Sequence, residues 1–278
     1  ITANRRKELA KDVAGAVSVL GGARLDELGA TGVADMAAYV PGLVVSGTRT
    51  GAQQIAIRGI TTGIDQTNST VGMYIDESPV SFNSSYSGGS TLTVDPDPLD
   101  IERVEVLKGP QGSLYGASAL GGLVKYVMVS PDLTSFNGRA EIGINKVSGG
   151  GAGNAVRAAI NVPLVTNLLA VRASAYRREE AGYLDNVASG KTDINKLNVS
   201  GGTISVLLKP SAAFNARLTA DTQTITGQDN STPQADVLTL KPAYGSLLNV
   251  GWQLPINPSR SEQNRANLAL NYDAGFAT

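Results

Sequence analysis

The sequence predicts a small α+β domain followed by antiparallel strands of a wide, water-lined β-barrel. Three observations predict it. Up to Pro131, short helical and β-rich segments are separated by long loops. After Pro131, apolar and polar residues alternate with period two in successive segments. The connections between those segments alternate in length, short turns on one side and long polar stretches on the other, as in outer-membrane barrels.

In the first part, Val13 to Leu20 reads as a strand and Arg24 to Leu28 as a short helix. Thr31 is placed to cap a helix over Val33 to Tyr39, which Pro41-Gly42 stops. Strands are expected at Leu43 to Val45, Gln54 to Ile57, Val71 to Ile75 and Ile101 to Leu107. A Gly-rich segment, Gly109 to Gly122, leads into a last strand, Leu123 to Val129.

In the second part, Ala140, Ile142 and Ile144 alternate with Arg139, Glu141, Gly143 and Asn145. Val156 to Val162 and Leu169 to Tyr176 repeat the pattern, and Thr203 to Lys209 is less regular. Phe214, Ala216, Leu218 and Ala220 then oppose Asn215, Arg217, Thr219 and Asp221. Finally, Ala266, Leu268, Leu270 and Tyr272 oppose Arg265, Asn267, Ala269 and Asn271. Short turns are expected at Pro163 to Asn167, Pro210 to Ala213 and Asp273 to Gly275, and long loops over Glu179 to Gly201 and Gly227 to Ser259. A soluble two-sheet sandwich would also alternate. However, a sandwich buries its inner face, and the Arg, Asp and Asn that recur on one face here suit a wall kept wet.

Composition narrows the chemistry. The 278 residues carry a net charge of −1, which gives no bulk attraction to nucleic acid. They contain neither Cys nor His, so disulfides, Cys/His zinc sites and a Ser-His-Asp triad cannot form within them. With no convergent acid–base set either, an enzyme is not expected, and no cofactor or metal is implied. The 32 glycines and 5% aromatics suit turns and small-residue strands. No apolar run reaches the ~18 residues of a membrane-spanning helix. The N-terminus, polar Thr2 and Asn4 with basic Arg5, Arg6 and Lys7, does not read as a signal peptide.

Several segments carry a family resemblance. Val40-Pro41-Gly42-Leu43, Ile57-Arg58-Gly59 and Val71-Gly72-Met73-Tyr74-Ile75-Asp76 occur in order. They are followed by Ile101-Glu102-Arg103-Val104-Glu105-Val106-Leu107-Lys108-Gly109-Pro110-Gln111-Gly112-Ser113-Leu114-Tyr115-Gly116. Together these resemble the plug of the TonB-dependent outer-membrane receptors. The resemblance implies an α+β plug domain followed by antiparallel transmembrane β-barrel strands, part of a barrel of the 22-stranded type whose lumen must be plugged. Residues 1–12 would be a TonB-box tail and linker, 13–131 the plug, and 132–278 the first strands of the barrel, about six of them. So few strands cannot close such a lumen, so the chain is expected to be the first part of a longer receptor, with an open β edge. Glu77, Lys108, Ala117-Ser118 and Lys125-Tyr126-Val127 depart from the family pattern.

The implied function is energy-coupled uptake of a scarce nutrient across the outer membrane of a Gram-negative cell, by a monomer gated by its plug. The alternative is a non-transporting binding or signalling receptor with the same plug. The implied partners are periplasmic TonB, outer-membrane lipid and a small-molecule ligand such as a siderophore or oligosaccharide. Ile1, Thr2 and Ala3 would engage TonB by adding a strand to its sheet edge. Arg58, Glu102, Arg103, Glu105 and Lys108 are expected in charge pairs, either within the plug or to the barrel wall. Asp65, Gln66 and Asn68 in one loop, and Asn83, Tyr86 and Asp95 in another, are candidate ligand-facing groups. The Asp95 to Asp100 carboxylates lack the spacing of a calcium loop, and Gly190-Lys191-Thr192 lacks the rest of a phosphate loop.

Overall fold

The computed structural model describes residues 15–30, 32–49, 52–61, 69–80, 91–92, 96–116, 118–228, 234–251 and 258–275. The chain separates into two compact units, Ile1–Val129 and Ser130–Thr278.

The first unit runs β1 (Ala16–Gly21), α1 (Gly22–Glu27), α2 (Val33–Ala37), β2 (Leu43–Arg49), β3 (Ala52–Ile57), β4 (Val71–Ile75), β5 (Ser78–Pro79), β6 (Thr91–Leu92), β7 (Ile101–Lys108), α3 (Gly112–Tyr115) and β8 (Gly122–Met128). A five-stranded sheet has the order β1-β7-β8-β4-β5, and a three-stranded sheet the order β2-β3-β6. Among the described residues of this unit, β4 and β8 pair in parallel and the other strand pairs are antiparallel. One core gathers Leu25, Val33, Met36, Ile57, Met73, Ile75, Val104, Val106, Val124 and Tyr126. Each such side chain, fully buried, contributes roughly 1.5–3 kcal/mol. Nearly every residue of β4 and β8 is buried, so these strands read as apolar runs rather than alternating ones.

The first helix starts two residues earlier than the sequence suggests, and the second ends two residues sooner. Gly32 holds the cap position of α2 and makes no side-chain cap bond, and Thr31 lies outside the described residues. The helix stops at Ala37 instead of Tyr39 because the chain tightens early. The N–H of Tyr39 donates to Met36 O and that of Val40 to Ala37 O, each three residues back. Val40 precedes Pro41, where an α conformation is disfavoured. Before β7, Pro98–Asp100 forms a 3-10 turn capped by Asp97, whose Oδ1 accepts from Leu99 N–H at 3.0 Å.

The second unit runs β9 (Asn137–Lys146), β10 (Ala152–Val165), β11 (Leu169–Glu180), β12 (Asp185–Asn186), β13 (Leu197–Leu208), β14 (Phe214–Gly227), β15 (Asn249–Val250) and β16 (Ser259–Tyr272). Six long strands form one antiparallel sheet in the order β16-β14-β13-β11-β10-β9. The short β12 and β15 pair in parallel and tie together the two long connections.

Two expectations are corrected here. Pro163 belongs to β10 rather than to the following turn. It sits where the register slips between Pro163 and Val165, a place for a residue without an N–H. The first long loop is also shorter than expected, because β11 extends to Glu180 and β13 begins at Leu197, whereas the second keeps its expected bounds between Gly227 and Ser259. At that end of the sheet the outward face is polar, whereas Leu197, Val199 and Ile225 are buried on the other face, so the apolar-out pattern lapses although the strands continue.

Before β9 the chain is tied in a knot of side-chain bonds. Asp132 Oδ1 accepts from Thr134 N–H (2.8 Å) and Thr134 Oγ1 (2.6 Å), while Ser135 Oγ donates to Oδ2. The buried Asn161 amide bonds Asp132 N–H (2.8 Å), Asp132 O (3.0 Å) and Ser135 O (2.7 Å). The Ser135 and Thr134 hydroxyl donors hold the Asp132 carboxyl at a pKa of about 2, down from 3.8. A depressed carboxylate stabilises the fold above its unfolded pKa and loses that effect as pH falls through the folded value. Hence Asp132→Asn should lower the unfolding temperature at neutral pH. The gap to the parent should close as pH drops from 3.8 toward about 2. A gap unchanged across that window would remove the role of the charge.

Candidate functional site: a charged plug cluster and a polar barrel wall

The first cluster lies on the sheet of the first unit. In the register of β1, β7, β8 and β4, one row is Val19, Glu105, Lys125 and Tyr74. Glu105 is 0% exposed and Lys125 1%. Charges that deep require partners. Arg103 Nε donates to Glu105 Oε1 at 2.7 Å, and its Nη1 pairs with Glu102. Lys125 Nζ pairs with Glu77 and lies 5.9 Å from the centre of the Tyr115 ring. The Tyr115 ring meets Tyr74 edge-on at 5.1 Å, and Tyr74 Oη donates to Tyr115 O at 2.6 Å.

Of the five charges singled out in the sequence, the structure brings together Glu102, Arg103 and Glu105. Arg58 and Lys108 enter no ion pair among the described residues. Arg58 instead holds a backbone position at φ 55°, with its N–H donating to Gly42 O at 2.7 Å. Sequence reasoning missed the Lys125–Glu77 pair. The signal was present: both positions depart from the family pattern, and with opposite charge. Glu77→Gln should cost about 1–2 kcal/mol, at the low end for a buried pair because Glu77 is half exposed. Adding Lys125→Met should recover much of that loss, and a four-member cycle of chemical denaturations measures the coupling. Additive effects would refute the pairing.

The second feature is the polar face of the six-stranded sheet. Strand pairing fixes which residues share a face. One row reads Arg139, Ala159, Ser174, Thr203, Asp221 and Arg265; the next reads Glu141, Arg157, Tyr176, Gly201, Gln223 and Gln263. These rows are cross-linked. Arg265 grips Asp221 (2.7 Å), Arg157 meets Glu141 (3.0 Å), and Ser205 and Thr219 share a hydrogen bond (3.0 Å). Tyr176 lies over Gly201, where a Cβ would sit 2.5 Å from Tyr176 Oη, and Gln223 Nε2 donates to that oxygen at 2.7 Å.

The opposite face is apolar. One row is Val162, Val171, Val206, Leu218 and Leu268, and another is Ile160, Ala173, Ile204, Ala220 and Ala266. Burial is inverted relative to a soluble sheet. Asn161, Arg178, Ser205, Thr219 and Gln223 are buried, whereas Ile142, Ile144, Leu268 and Leu270 are exposed, Ile144 at 87%. A sandwich would bury that apolar face under a second sheet about 10 Å away. The apolar belt also crosses the rows obliquely. Ile142 of β9 lies in the row that meets β16 at Glu262, six residues from Leu268 in the apolar stretch of β16. Strands tilted to a membrane normal produce this drift. The sheet is thus a section of barrel wall with one lipid face and one water face.

At the end with the longer connections, 181–196 and 228–258 are joined. Asp185 N–H donates to Leu248 O (2.8 Å), Val187 N–H to Val250 O (2.9 Å), and Leu184, Ile194 and Val250 share a small core. Asn195 Oδ1 caps Tyr183 and Leu184 N–H at 2.7 and 2.9 Å. The connection 147–151 joins them through Gly151 N–H to Gly182 O at 2.8 Å. Ile1, Thr2, Ala3, Asp65, Gln66, Asn68, Asn83, Tyr86 and Asp95 lie outside the described residues.

A plug-sized α+β unit followed by a two-faced antiparallel wall has clear counterparts. Residues 10–123 match the family model of the TonB-dependent Receptor Plug Domain. The chain carries the plug domain of the TonB-dependent receptors. The pesticin receptor of Yersinia enterocolitica is 29% identical over 196 residues, covering 69% of this chain and 27% of that receptor. The vitamin B12 transporter BtuB of Vibrio vulnificus is 32% identical over 134 residues, covering 48% and 20%. The crystal structure of the ferric yersiniabactin uptake receptor from Yersinia pestis superposes with TM-score 0.76 at 22% identity, over 94% of this chain and 38% of that one. The ferripyoverdine receptor of Pseudomonas aeruginosa gives TM-score 0.70 at 19% identity, over 96% and 33%. The chain therefore spans about a quarter of the length of the pesticin receptor and a fifth of the vitamin B12 transporter. TonB-dependent receptors are outer-membrane proteins of Gram-negative bacteria, and these relatives are receptors and transporters rather than enzymes.

Proposed function

We propose that this chain supplies the plug and part of the wall of an outer-membrane receptor that imports a scarce nutrient by energy coupled through TonB. The observation that carries the proposal is the inverted sheet of the second unit, with a bare apolar face and a cross-linked polar one, following a plug domain. A lumen of the 22-stranded type is wide enough to need a plug, and in this reading the first unit is the gate. The buried charges on the plug sheet suit that role. Polar contacts can be exchanged for water at modest net cost, whereas a dry interface could not slide.

In this reading the handle is residues 1–12, with Ile1, Thr2 and Ala3 adding as a strand to TonB. The plug spans 13–131 and the wall 132–278. Glu102, Arg103 and Glu105 hold plug elements to each other, and Arg58 and Lys108 are the cations left to meet other surfaces. The ligand-facing groups are Asp65, Gln66, Asn68, Asn83, Tyr86 and Asp95. A ferric siderophore is the favoured cargo, because ferric yersiniabactin and ferripyoverdine uptake name the structural neighbours. The receptor acts as a monomer.

The test is growth of an iron-starved receptor-null strain that expresses the full-length gene, with ferric yersiniabactin or ferripyoverdine as the sole iron source. Growth that requires both the receptor and TonB supports the reading. Equal growth with and without TonB rejects energy coupling for that cargo and favours a binding or signalling receptor.

A further inference from the structure

On the polar face of the six-stranded sheet, five successive rows each carry an arginine. Nearest the short turns, Arg217 shares a row with Ala170, Leu207 and Ala269. Arg172 follows, in the row of Asn161, Ser205, Thr219 and Asn267. Next come Arg139 and Arg265 in one row, then Arg157, and last Arg178 beside Ala155 and Val199. Rows on one face are two residues apart, so the ladder extends roughly 27 Å along the strands. Its lower rungs back directly onto the apolar belt of the opposite face.

The charges on this face are not balanced. Its carboxylates are Asp221, Glu141 and, two residues beyond Arg178 on β11, Glu180. Six guanidiniums thus share three carboxylates, and all three engage the upper rungs. Asp221 holds Arg265 (2.7 Å), Glu141 meets Arg157 (3.0 Å) and Arg139 (3.3 Å), and Glu180 meets Arg178 (3.2 Å). The rows of Arg217 and Arg172 contain no carboxylate among the described residues. The residue type is as informative as the charge. A wall that needed only to be wet could use Asn, Gln, Thr or Lys. The one lysine in these strands, Lys146, lies on the side of Ile142 and Ile144. Arginine stays charged at any working pH and offers a planar fork to carboxylate or phosphate. A low-dielectric layer behind one sign of charge focuses the field into the water in front of it.

We infer that this face is a track for an anionic cargo, one bearing carboxylate or phosphate groups, which passes from rung to rung between the loop end and the short-turn end. The excess of positive charge draws the anion in. Passage also requires that each site release it, and several weak sites in series meet that need. The upper carboxylates serve this by competing for their arginines, while Arg172 and Arg217 select for charge lower down. The inference rests on the proposed reading, because only a wall that lines a lumen meets cargo, and it narrows the cargo to anions.

The experiment uses the intact receptor in native outer membranes with Thr203→Cys, which lies on this face in the row of Arg139 and Arg265. Its rates of reaction with a negatively and a positively charged methanethiosulfonate of similar size are compared, against the receptor without that cysteine. The anionic reagent should react about tenfold faster, the scale set by a few unit charges about 10 Å away in screened water. Arg172→Gln/Arg217→Gln should bring the two rates within about threefold of each other, whereas Arg172→Lys/Arg217→Lys should keep the preference. Millimolar citrate or inorganic phosphate should slow the anionic reagent in the parent and do so less in the Lys variant, which lacks the fork. Stronger protection by citrate assigns a carboxylate cargo, and stronger protection by phosphate a phosphate-bearing one. Equal rates for the two reagents, a preference for the cation, or a ratio unchanged in the Gln variant overturns the inference. So does a cysteine that neither reagent reaches, since a sealed face offers no path, and so does a lack of protection by both anions. TonB-dependent growth is measured in the same variants. Growth of the Gln variant equal to the parent's would overturn the track and leave the uptake reading standing, whereas growth without TonB, with the charge preference retained, counts against energy-coupled uptake alone.

Discussion

Arginine placed at Leu218 or Leu268 should destabilise the barrel by about 2–4 kcal/mol, the depth-dependent cost of a cation on the lipid face. The two residues are register partners at the centre of the apolar belt and are half exposed or more, so neither substitution disrupts a packed core. The penalty is a desolvation cost imposed by the surroundings alone. Arginine at Asn267, the neighbouring residue on β16, is partly exposed on the polar face and should cost far less. Reversible unfolding in lipid vesicles, followed by tryptophan fluorescence or gel migration, measures all three. Equal costs on both faces would mean that the apolar side is not in lipid.

A second large effect belongs to the plug. Gly122 begins β8 at φ 140°, a conformation that essentially only glycine adopts. A Cβ there would fall 2.1 Å from the Leu107 carbonyl oxygen and 3.0 Å from Ile57 Cδ1. The carbonyl belongs to the neighbouring strand, in the register that pairs Lys108 with Gly122, so it cannot retreat without breaking the sheet. Gly122→Ala should therefore cost about 4 kcal/mol or more, combining backbone strain with a steric clash. Hydrogen exchange across 101–108 and 122–128 in the intact protein reads the loss. Protection matching the parent would show that the turn has another conformation open to it. Gly112 is a useful control, since a Cβ there meets nothing within 4 Å.

How much of this was legible in the sequence depends on what each residue faces. The apolar belt was readable because lipid imposes strict alternation, and Phe214 to Asp221 shows it without interruption. Above the belt the rule lapses. Ser200, Thr224 and Glu262 turn polar groups outward, while Val199 and Ile225 are buried on the inward face, so the apolar-out signal ends before the strands do. The irregular fourth segment has a different cause. Gly201 and Gly202 interrupt the pattern because the Tyr176 ring occupies the place of one side chain and Ser174 O lies where the other would be. In the plug, the family segments marked β4 and β7, whereas Lys125 and Glu77 lie 48 positions apart, and their departures from the family pattern read as a pair once β4 and β8 lie side by side.

The 278 residues contain no cysteine, which permits a direct test of the two-faced wall. Single cysteines at positions 216 to 221 of β14, in the intact receptor in native outer membranes, are spin-labelled and probed by collision with oxygen and with a water-soluble nickel chelate. A lipid face and a wet face require strict alternation. Oxygen accessibility should peak at Ala216, Leu218 and Ala220, whereas Arg217, Thr219 and Asp221 should favour the chelate or be shielded from both. Equal accessibility along the strand, or shielding of Leu218 from oxygen and chelate alike, would contradict a barrel wall and place a dry protein layer over the apolar face.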